Sequence, residues 1–325
     1  MKNKITSICL RTFVSLALIS ILLYIMRGKY GQILIALKST KPSLFIAAFL
    51  VFIAAISVAS YRLKLIIEAS GDTKIAFPES LSLTFIGYFF NNFLPTSIGG
   101  DVVKAYYLSK KSSAKMQSFT SVFIDRVIGL FTMIFMASVA LWFVPVKIID
   151  AKVRVLIYVI TAVALIFIAF MANKNFAKKF SIFLYLVGPF EERLKKAYNA
   201  IHVYRHHTRL MLESIVISVI SQVLFFVSYG VLALSIGARI PPGEILLRMP
   251  LISAMSMLPS INGLGLREGS TVFLFGPLIG KESAFVVSIL WLAILLLASI
   301  VGGLIYGLSP QFKMKFKEVS EVQDL

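Results

Sequence analysis

Long apolar runs alternate with short polar segments along most of the chain. Six runs carry no charged residue and are mostly apolar: 12–26, 43–61, 127–146, 155–173, 214–238 and 283–312. Most of them approach or exceed the ~20 residues that a helix needs to cross a hydrocarbon core of about 30 Å. The pattern predicts an all-α polytopic membrane protein with about six full transmembrane helices.

The first apolar run is the shortest. Lys2, Lys4 and Arg11 precede it, as basic residues precede the apolar core of a secretory signal peptide. Small residues at a cleavage position are missing after the run, so the sequence favours a retained helix over a cleaved peptide.

Two stretches between the predicted spans contain residues that interrupt helices. FNNFLPTSIGGD begins at Phe90, and MLPSINGLGLRE begins at Met257. Each places Leu-Pro before Thr or Ser, then glycines, then charged residues, and the flanking spans repeat at nearly the same offset. The chain therefore divides into halves of about 1–146 and 147–312. Each half has three full spans, an odd number, so the sequence predicts an inverted-topology repeat.

The interruptions have a physical consequence, because unpaired backbone groups cost several kcal/mol each in hydrocarbon. Non-helical chain at membrane depth is tolerated where it is buried in protein or lines a wet cavity. Each interruption is therefore predicted to form a re-entrant hairpin, the first entering from the cytoplasm and the second from outside. Helices that begin after Gly100 and Gly265 would aim free N–H groups at an anionic group. The alternative is two ordinary kinked membrane helices, since Pro and Gly are common there.

Charged residues accompany both interruptions and one of the spans. Asp125 and Arg126 lie in SVFIDRVIGL, where isolated charges cost at least ~2.5–3.5 kcal/mol each. Arg126 is expected to pair with Asp101 or Glu268, and Arg267 with Asp101 or Asp125. The alternative places Asp125-Arg126 at the cytoplasmic end of a span that starts at residue 127, and Arg267-Glu268 at an exposed hairpin tip.

The candidate substrate-binding residues are the polar, charged and chain-reversing residues of these segments. They are Asn91, Asn92, Pro95, Gly99, Gly100, Asp101, Lys104, Asp125, Arg126, Pro259, Asn262, Gly263, Gly265, Arg267 and Glu268. For Asn91 and Asn92, hydrogen bonding between helices is an equal alternative to substrate contact.

Composition and charge limit the classes of molecule that the protein is expected to bind. Hydrophobic residues make up 58% of the chain and the formal net charge is +18. The basic residues collect in short loops between spans, which favours anionic lipid headgroups over nucleic acid as partners. The loop within 174–210 and the tail 313–325 are the most basic, so both chain termini are expected in the cytoplasm. Basic residues within 27–41 disagree, since this loop would lie outside.

Catalytic and cofactor motifs have little support. Cys9 is the lone cysteine, so no intramolecular disulfide is possible. His202 and His206 have the spacing of zinc ligands on a helix, but HExxH is absent, and the basic, aromatic segment 174–210 is better interpreted as a cytoplasmic interfacial helix pair. No nucleotide-binding GxxxxGK[ST] motif occurs. We expect no catalytic residue, no metal and no cofactor.

Three blocks together resemble a known family. NNFLPTSIGGDVVKAYYL, FIDRVIGL and LPSINGLGLREGSTVFLF are similar to blocks of the lysylphosphatidylglycerol synthase transmembrane region, also called the flippase-like domain family. The resemblance covers nearly the whole chain. It implies a polytopic domain that, in bifunctional bacterial enzymes, moves aminoacylated phosphatidylglycerol from the inner to the outer leaflet. The chain ends at Leu325 without the soluble aminoacyl-transferase domain of those enzymes, so synthesis is not expected.

Three functions remain open from the sequence. The first is a lipid flippase of the cell membrane whose cavity accepts a phospholipid or polyprenyl-phosphate headgroup. The second is a membrane subunit or partner of a separate lipid-modifying transferase. The third is a small-solute secondary transporter with similar repeats.

Overall fold

The fold comes from a computed structural model. It describes residues 30–69, 74–93, 99–111, 115–143, 151–172, 208–258 and 262–309, together with Ser20, Tyr24, Gly28, Ser260 and Phe312. Over the longer of these ranges the regular structure consists of helices: α1 (Tyr30–Lys38), α2 (Pro42–Ala69), α3 (Phe77–Phe93), α4 (Gly99–Lys111), α5 (Lys115–Phe143), α6 (Ala151–Ala172), α7 (Thr208–Ser235), α8 (Pro242–Ser256), α9 (Leu266–Ile279) and α10 (Lys281–Leu308).

Four of these helices are long and apolar enough to cross a membrane: α2, α5, α7 and α10. They correspond to four of the six predicted spans. The predicted span 155–173 falls mostly in α6, whose described apolar part is Arg154–Val163. Cys9, the histidines and segment 313–325 lie outside the described residues, as do most of the predicted first span and most of segment 174–210.

One predicted boundary is wrong. The span expected to start at residue 127 is a helix that already begins at Lys115, so Asp125 and Arg126 lie inside it. At 1.5 Å per residue, Asp125 is about 15 Å from the start of the helix. A membrane span can contain charged residues when buried partners neutralise them, and the length of its uncharged run then underestimates the length of the span. The partners of Asp125 and Arg126 are described below.

Both predicted interruptions separate helices. α3 ends at Phe93 and α4 begins at Gly99, while α8 ends at Ser256 and α9 begins at Leu266. Helices α2 to α5 and helices α7 to α10 therefore share one order: a long helix, two short helices and a long helix.

The packing of the helices repeats as well. α3 lies against α10 of the other half, and α8 lies in the same way against α5. Within each half the second short helix packs on the final long helix, as α4 does on α5 and α9 on α10. α2 and α7 pack on each other and form the centre of this arrangement.

A seam of serines joins α2 to α7. The Ser228 hydroxyl donates to the Ala48 carbonyl at 2.7 Å, and the Ser221 hydroxyl donates to the Ala55 carbonyl at 3.0 Å. Residue numbers rise along α2 as they fall along α7, so the helices are antiparallel. Contacts spaced seven residues apart are the pattern of helices that remain in contact along their length. Small side chains at this seam let the two backbones approach closely.

Glycines permit two further close approaches. A side chain at Gly100 would overlap the Gly87 carbonyl, so α4 can cross α3 only with glycine at this position. A side chain at Gly302 would overlap the Phe85 carbonyl in the contact of α10 with α3. The two helices of the first hairpin, α3 and α4, therefore pack closely on each other, and α3 also packs closely on α10.

The serine seam makes a testable prediction. Ser228→Leu places a large side chain at a fully buried helix contact and should lower the free energy of unfolding by about 1–3 kcal/mol. Thermal unfolding of the purified protein in detergent measures the change. Val227→Leu is the control, because Val227 is 46% exposed, and it should shift stability by less than about 0.5 kcal/mol. Equal effects of both changes would contradict the close packing at Ser228.

Candidate functional site

The tips of the two interrupted hairpins meet each other. The side-chain amide of Asn262, in the second interruption, donates to the side-chain oxygen of Asn92 at the end of α3. Asn262 has a positive φ of 47°, in the left-handed region that asparagine tolerates better than most residues. For Asn92, hydrogen bonding between structural elements is thus the interpretation that the structure supports.

One N–H group at each hairpin tip is already bonded. The Gly100 N–H donates to the Asn91 side-chain oxygen at 2.7 Å, and the Gly265 N–H donates to the Glu268 carboxylate at 2.7 Å. A side chain of the protein itself accepts each hydrogen bond, as in ordinary helix capping. These two groups are therefore not free for an anion, while an anion site at the N–H groups that follow them stays a prediction.

Asp101 carries the first charged cluster. Arg126 donates to both of its carboxylate oxygens, at 2.5 Å from Nε and 3.0 Å from Nη2, and Lys104 Nζ lies 3.3 Å from one of them. Asp101 and Lys104 are buried, whereas the side chain of Arg126 is 43% exposed. The expected pair of Arg126 with Asp101 is confirmed, and one carboxylate serves two cations.

Arg267 has a different partner from those predicted. Its Nε and Nη2 donate to the carboxylate of Glu268, the next residue, at 3.0 and 2.6 Å, rather than to Asp101 or Asp125. Both side chains are buried, at 6% and 4% exposure, so the exposed-tip alternative is wrong. Glu268 therefore neutralises Arg267 and caps α9 at the same time.

Asp125 pairs with a residue that sequence reasoning missed. Arg62 of α2 donates from Nε to Asp125 at 2.7 Å and from Nη1 to the Ser218 hydroxyl at 2.7 Å. The three residues join α2, α5 and α7. Arg62 directly follows the uncharged run 43–61, so it resembled the end of a span. Arg62 lies inside a helix that continues to Ala69. The length of this helix, which the uncharged run does not show, is what identifies Arg62 as a residue within it.

A cavity of about 350 Å³ lies between these clusters. Its charged lining residues are Arg62, Lys104, Asp125, Arg126 and Arg267. Asp101 and Glu268 stand behind the wall and bond to lining residues. Asn91 and Asn262 also line the cavity, so six predicted site residues border it and several others hold its wall in place.

The cavity changes character along its length. Three helices run from polar to apolar positions in the same direction along the lining: α2 from Arg62 to Phe52, α5 from Asp125 to Met133, and α7 from Gln222 to Phe225. Ten residues separate Arg62 from Phe52, about 15 Å along the helix. The Phe52 ring meets the rings of Tyr88, Phe225 and Trp291 edge to face, with centroids 6.0, 5.3 and 5.3 Å away. One end is thus cationic and the other aromatic.

Three further predicted residues are glycines at the turns or at the start of a helix. Gly263 and Gly265 have φ values of +74° and +83°, which side chains rarely adopt, and Gly99 begins α4. Pro95 and Pro259 lie outside the described residues. Within the described part of the chain, no three His, Cys, Asp or Glu side chains are grouped as metal ligands.

A comparison with protein families shows which family the chain belongs to. The profile of the lysylphosphatidylglycerol synthase transmembrane region matches residues 12–303, which include both interruptions and every cavity residue named above. The chain belongs to this family.

One relative adds a further likeness. A UPF0104 membrane protein of Methanocaldococcus jannaschii is 34% identical over 131 residues, which are 39% of this chain and 38% of the relative. The match therefore spans less than half of the relative. Family membership and four apolar helices of spanning length establish a multi-pass membrane protein.

This member of the lysylphosphatidylglycerol synthase transmembrane-region family has another buried ion pair in its second half. Arg248 donates to Glu244 at 2.7 Å, one turn apart on α8, and also to the Leu274 carbonyl of α9. The two side chains are 6% and 3% exposed. Sequence reasoning missed this pair too. It ties the two helices of the second hairpin together and does not line the cavity.

The pair of Arg62 with Asp125 generates a prediction. Asp125→Asn leaves Arg62 as a buried charge without its carboxylate and should cost about 3–5 kcal/mol of unfolding free energy. Thermal and denaturant unfolding in detergent measure the loss. Replacing both partners, as Arg62→Met with Asp125→Leu, should recover most of it, because no charge then remains uncompensated.

The control is a second ion pair on α2. Lys64 and Glu68 pair at 2.7 Å but are 22% and 29% exposed, so Glu68→Gln should cost less than about 1 kcal/mol. If Asp125→Asn and Glu68→Gln cost the same, Asp125 does not stabilise a desolvated arginine.

Proposed function

We propose that the protein is a flippase-like lipid transporter that moves a phospholipid between the leaflets of the cell membrane. The observation that carries the proposal is a cavity between the tips of two interrupted hairpins, lined by both cationic and aromatic side chains. Paired interruptions in the two halves of a membrane chain are the best sequence indication of a transport site.

The chemistry of the cavity favours a lipid over a polar solute. Arginine and lysine suit the phosphate that phospholipids share, because guanidinium donates two hydrogen bonds at once to such oxygens. The aromatic end offers a surface for the apolar part of the ligand. A volume of about 350 Å³ is at the low end of the roughly 300–1,000 Å³ of small-molecule pockets. The cavity therefore suits a headgroup and the adjoining part of the acyl chains, while the rest of the chains stays in the bilayer.

The repeated packing of the two halves supports transport as the activity. In the proposed arrangement the hairpin of α3 and α4 enters from the cytoplasm, and that of α8 and α9 enters from outside. Inverted repeats allow alternating access when one half moves against the other around a fixed site. The bond between Asn92 and Asn262 joins the two tips, so it would change as the halves move.

The proposed transporter carries no catalytic residue of its own. The described charged side chains that line the cavity each bond to another charged or polar group. In this proposal a separate lipid-modifying transferase would supply or accept the lipid, and anionic membrane lipids are the partners.

Reconstitution tests the proposed function. Purified protein in phosphatidylcholine vesicles should bring NBD-labelled phosphatidylglycerol from the inner leaflet within reach of dithionite, measured as loss of fluorescence beyond half. The same assay is run with NBD-labelled lysylphosphatidylglycerol and phosphatidylcholine. Transport of none of the three lipids above the rate of protein-free vesicles would overturn the proposal.

Blocking the cavity provides the matched comparison for that assay. Ser253 lines the cavity on α8, whereas Met255 on the same helix is 39% exposed. Ser253→Phe should reduce transport at least about ten-fold, the equivalent of 1.4 kcal/mol, and Met255→Phe should leave it unchanged. Elution of both variants as single species in size-exclusion chromatography separates a blocked cavity from misfolding.

The membrane orientation is tested by cysteine labelling. Lys110, at the end of α4, and Lys281, at the start of α10, are both exposed. In a Cys9→Ser background, Lys110→Cys should react with a membrane-impermeant maleimide only after the cytoplasmic side is opened. Lys281→Cys should react from outside. Labelling of both positions from one side would contradict the inverted arrangement and the cytoplasmic termini.

A further inference from the structure

The charges around the cavity do not balance. Arg62 is matched by Asp125, and Arg267 is matched by Glu268. At the third cluster Arg126 and Lys104 share Asp101 alone. The described residues in the cavity wall and directly behind it thus include four cations and three carboxylates. The surplus positive charge lies at Lys104 and Arg126.

Lys104 is the least satisfied of these cations. Its ammonium has three donors, yet its hydrogen bond to Asp101 is long, at 3.3 Å, and its side chain is only 10% exposed. Gly87 leaves room for it, because a side chain on Gly87 would meet Lys104 Cε at 2.5 Å. A desolvated ammonium at the cavity wall is costly without a further acceptor.

Arg126 adds donors beside Lys104. Its Nε and Nη2 are taken by Asp101, while its Nη1 has no hydrogen bond to the described residues. The 43% exposure of its side chain lies on the cavity, which it lines. Two cationic donors next to each other fit an anionic oxygen pair.

The carboxylates, by contrast, already neutralise arginines of the protein. Asp101 accepts two hydrogen bonds from Arg126, and Glu268 accepts from Arg267 and from the Gly265 N–H. Asp125 accepts one hydrogen bond from Arg62 and is the only carboxylate among the described cavity-lining residues. An ammonium entering the cavity would therefore meet an excess of positive charge and would compete with Arg62 for Asp125.

We propose that this site selects an anionic phosphodiester headgroup and rejects one that carries added ammonium groups. The proposal rests on the proposed transport function and names its substrate class. A phosphatidylglycerol headgroup has one negative charge and neutralises the surplus at Lys104 and Arg126. Lysylphosphatidylglycerol carries the same phosphate and two ammonium groups, so it adds positive charge to a wall that already has an excess. Lys104 is the specificity-determining residue, and Gly87 leaves room for it.

A tryptophan at the cavity allows a binding measurement that is independent of transport. The chain has two tryptophans: Trp291 lines the cavity, and Trp142 is 90% exposed at the end of α5. In Trp142→Phe protein, Trp291 fluorescence is titrated with dioctanoylphosphatidylglycerol, its lysyl ester, dioctanoylphosphatidylcholine and inorganic phosphate. The phosphatidylglycerol should bind at least about ten-fold more tightly than its lysyl ester, because the surplus positive charge of the site repels the added ammonium groups.

A neutral variant tests the residue. Lys104→Gln keeps most of the side-chain volume and should weaken phosphatidylglycerol binding about ten-fold while changing the lysyl ester less than two-fold. Lys64→Gln on α2, outside the cavity, should change neither. Lysyl ester binding as tight as phosphatidylglycerol, or phosphatidylglycerol binding unaffected by Lys104→Gln, would overturn the inference. The comparison of ligands on unmutated Lys104 remains decisive if the variant does not fold.

The outcomes also separate the inference from the function on which it rests. Transport of lysylphosphatidylglycerol as fast as phosphatidylglycerol in vesicles would leave a lipid transporter and overturn the selectivity. Inorganic phosphate that binds as tightly as the lipid would leave an anion site and overturn its assignment to a lipid headgroup.

Discussion

Every backbone N–H and C=O group that leaves a helix inside a membrane protein must find a partner in the protein or in a water-filled cavity. This constraint governs the two hairpin tips. Asn91 accepts from the Gly100 N–H and Glu268 accepts from the Gly265 N–H, so both new helices begin with a capped end. Asn262 reaches Asn92 across the gap and joins the tips. The polar side chains of the interruptions are therefore first of all structural, and the cavity is the space that remains beside them.

The same constraint extends to the charges. A buried arginine is tolerated when a carboxylate and a hydroxyl replace its water, as Asp125 and Ser218 do for Arg62. The pair of Arg62 with Asp125 and the pair of Arg126 with Asp101 also fix the relative position of different helices. Together with Ser218 they hold the cavity walls on α2, α4, α5 and α7 in place, whereas Arg267 and Glu268 are neighbours on α9. An ion pair of this kind stabilises the arrangement mainly because the loss of one partner leaves the other uncompensated.

Sequence reasoning predicted the features that rest on local chemistry. Proline removes a backbone donor and glycine permits chain reversal, so two stretches that combine them at matching places, FNNFLPTSIGGD and MLPSINGLGLRE, predicted the two breaks and their correspondence. Proline or glycine alone is not sufficient, because Pro250, Pro277 and the pair Gly302-Gly303 lie inside helices. A carboxylate and a guanidinium in apolar surroundings must be paired, which led to Asp101 with Arg126. The partner of Arg267 was missed because the choice between adjacent Glu268 and a distant carboxylate depends on side-chain conformation. Arg62 was missed because a charge at the end of an uncharged run resembles a membrane boundary until the length of the helix is known.

The two halves share a scaffold but not its chemistry. In the first half Asp101 and Lys104 meet Arg126 of the following helix, and the cluster keeps one positive charge in excess. In the second half Arg267 and Glu268 neutralise each other at the corresponding tip, and the pair of Glu244 with Arg248 holds α8 and α9 together away from the cavity. A repeated fold can move symmetrically, yet a ligand attracted by charge interacts most strongly with the first hairpin. The asymmetry of charge within a symmetric framework would therefore determine on which side of the site an anionic headgroup is held.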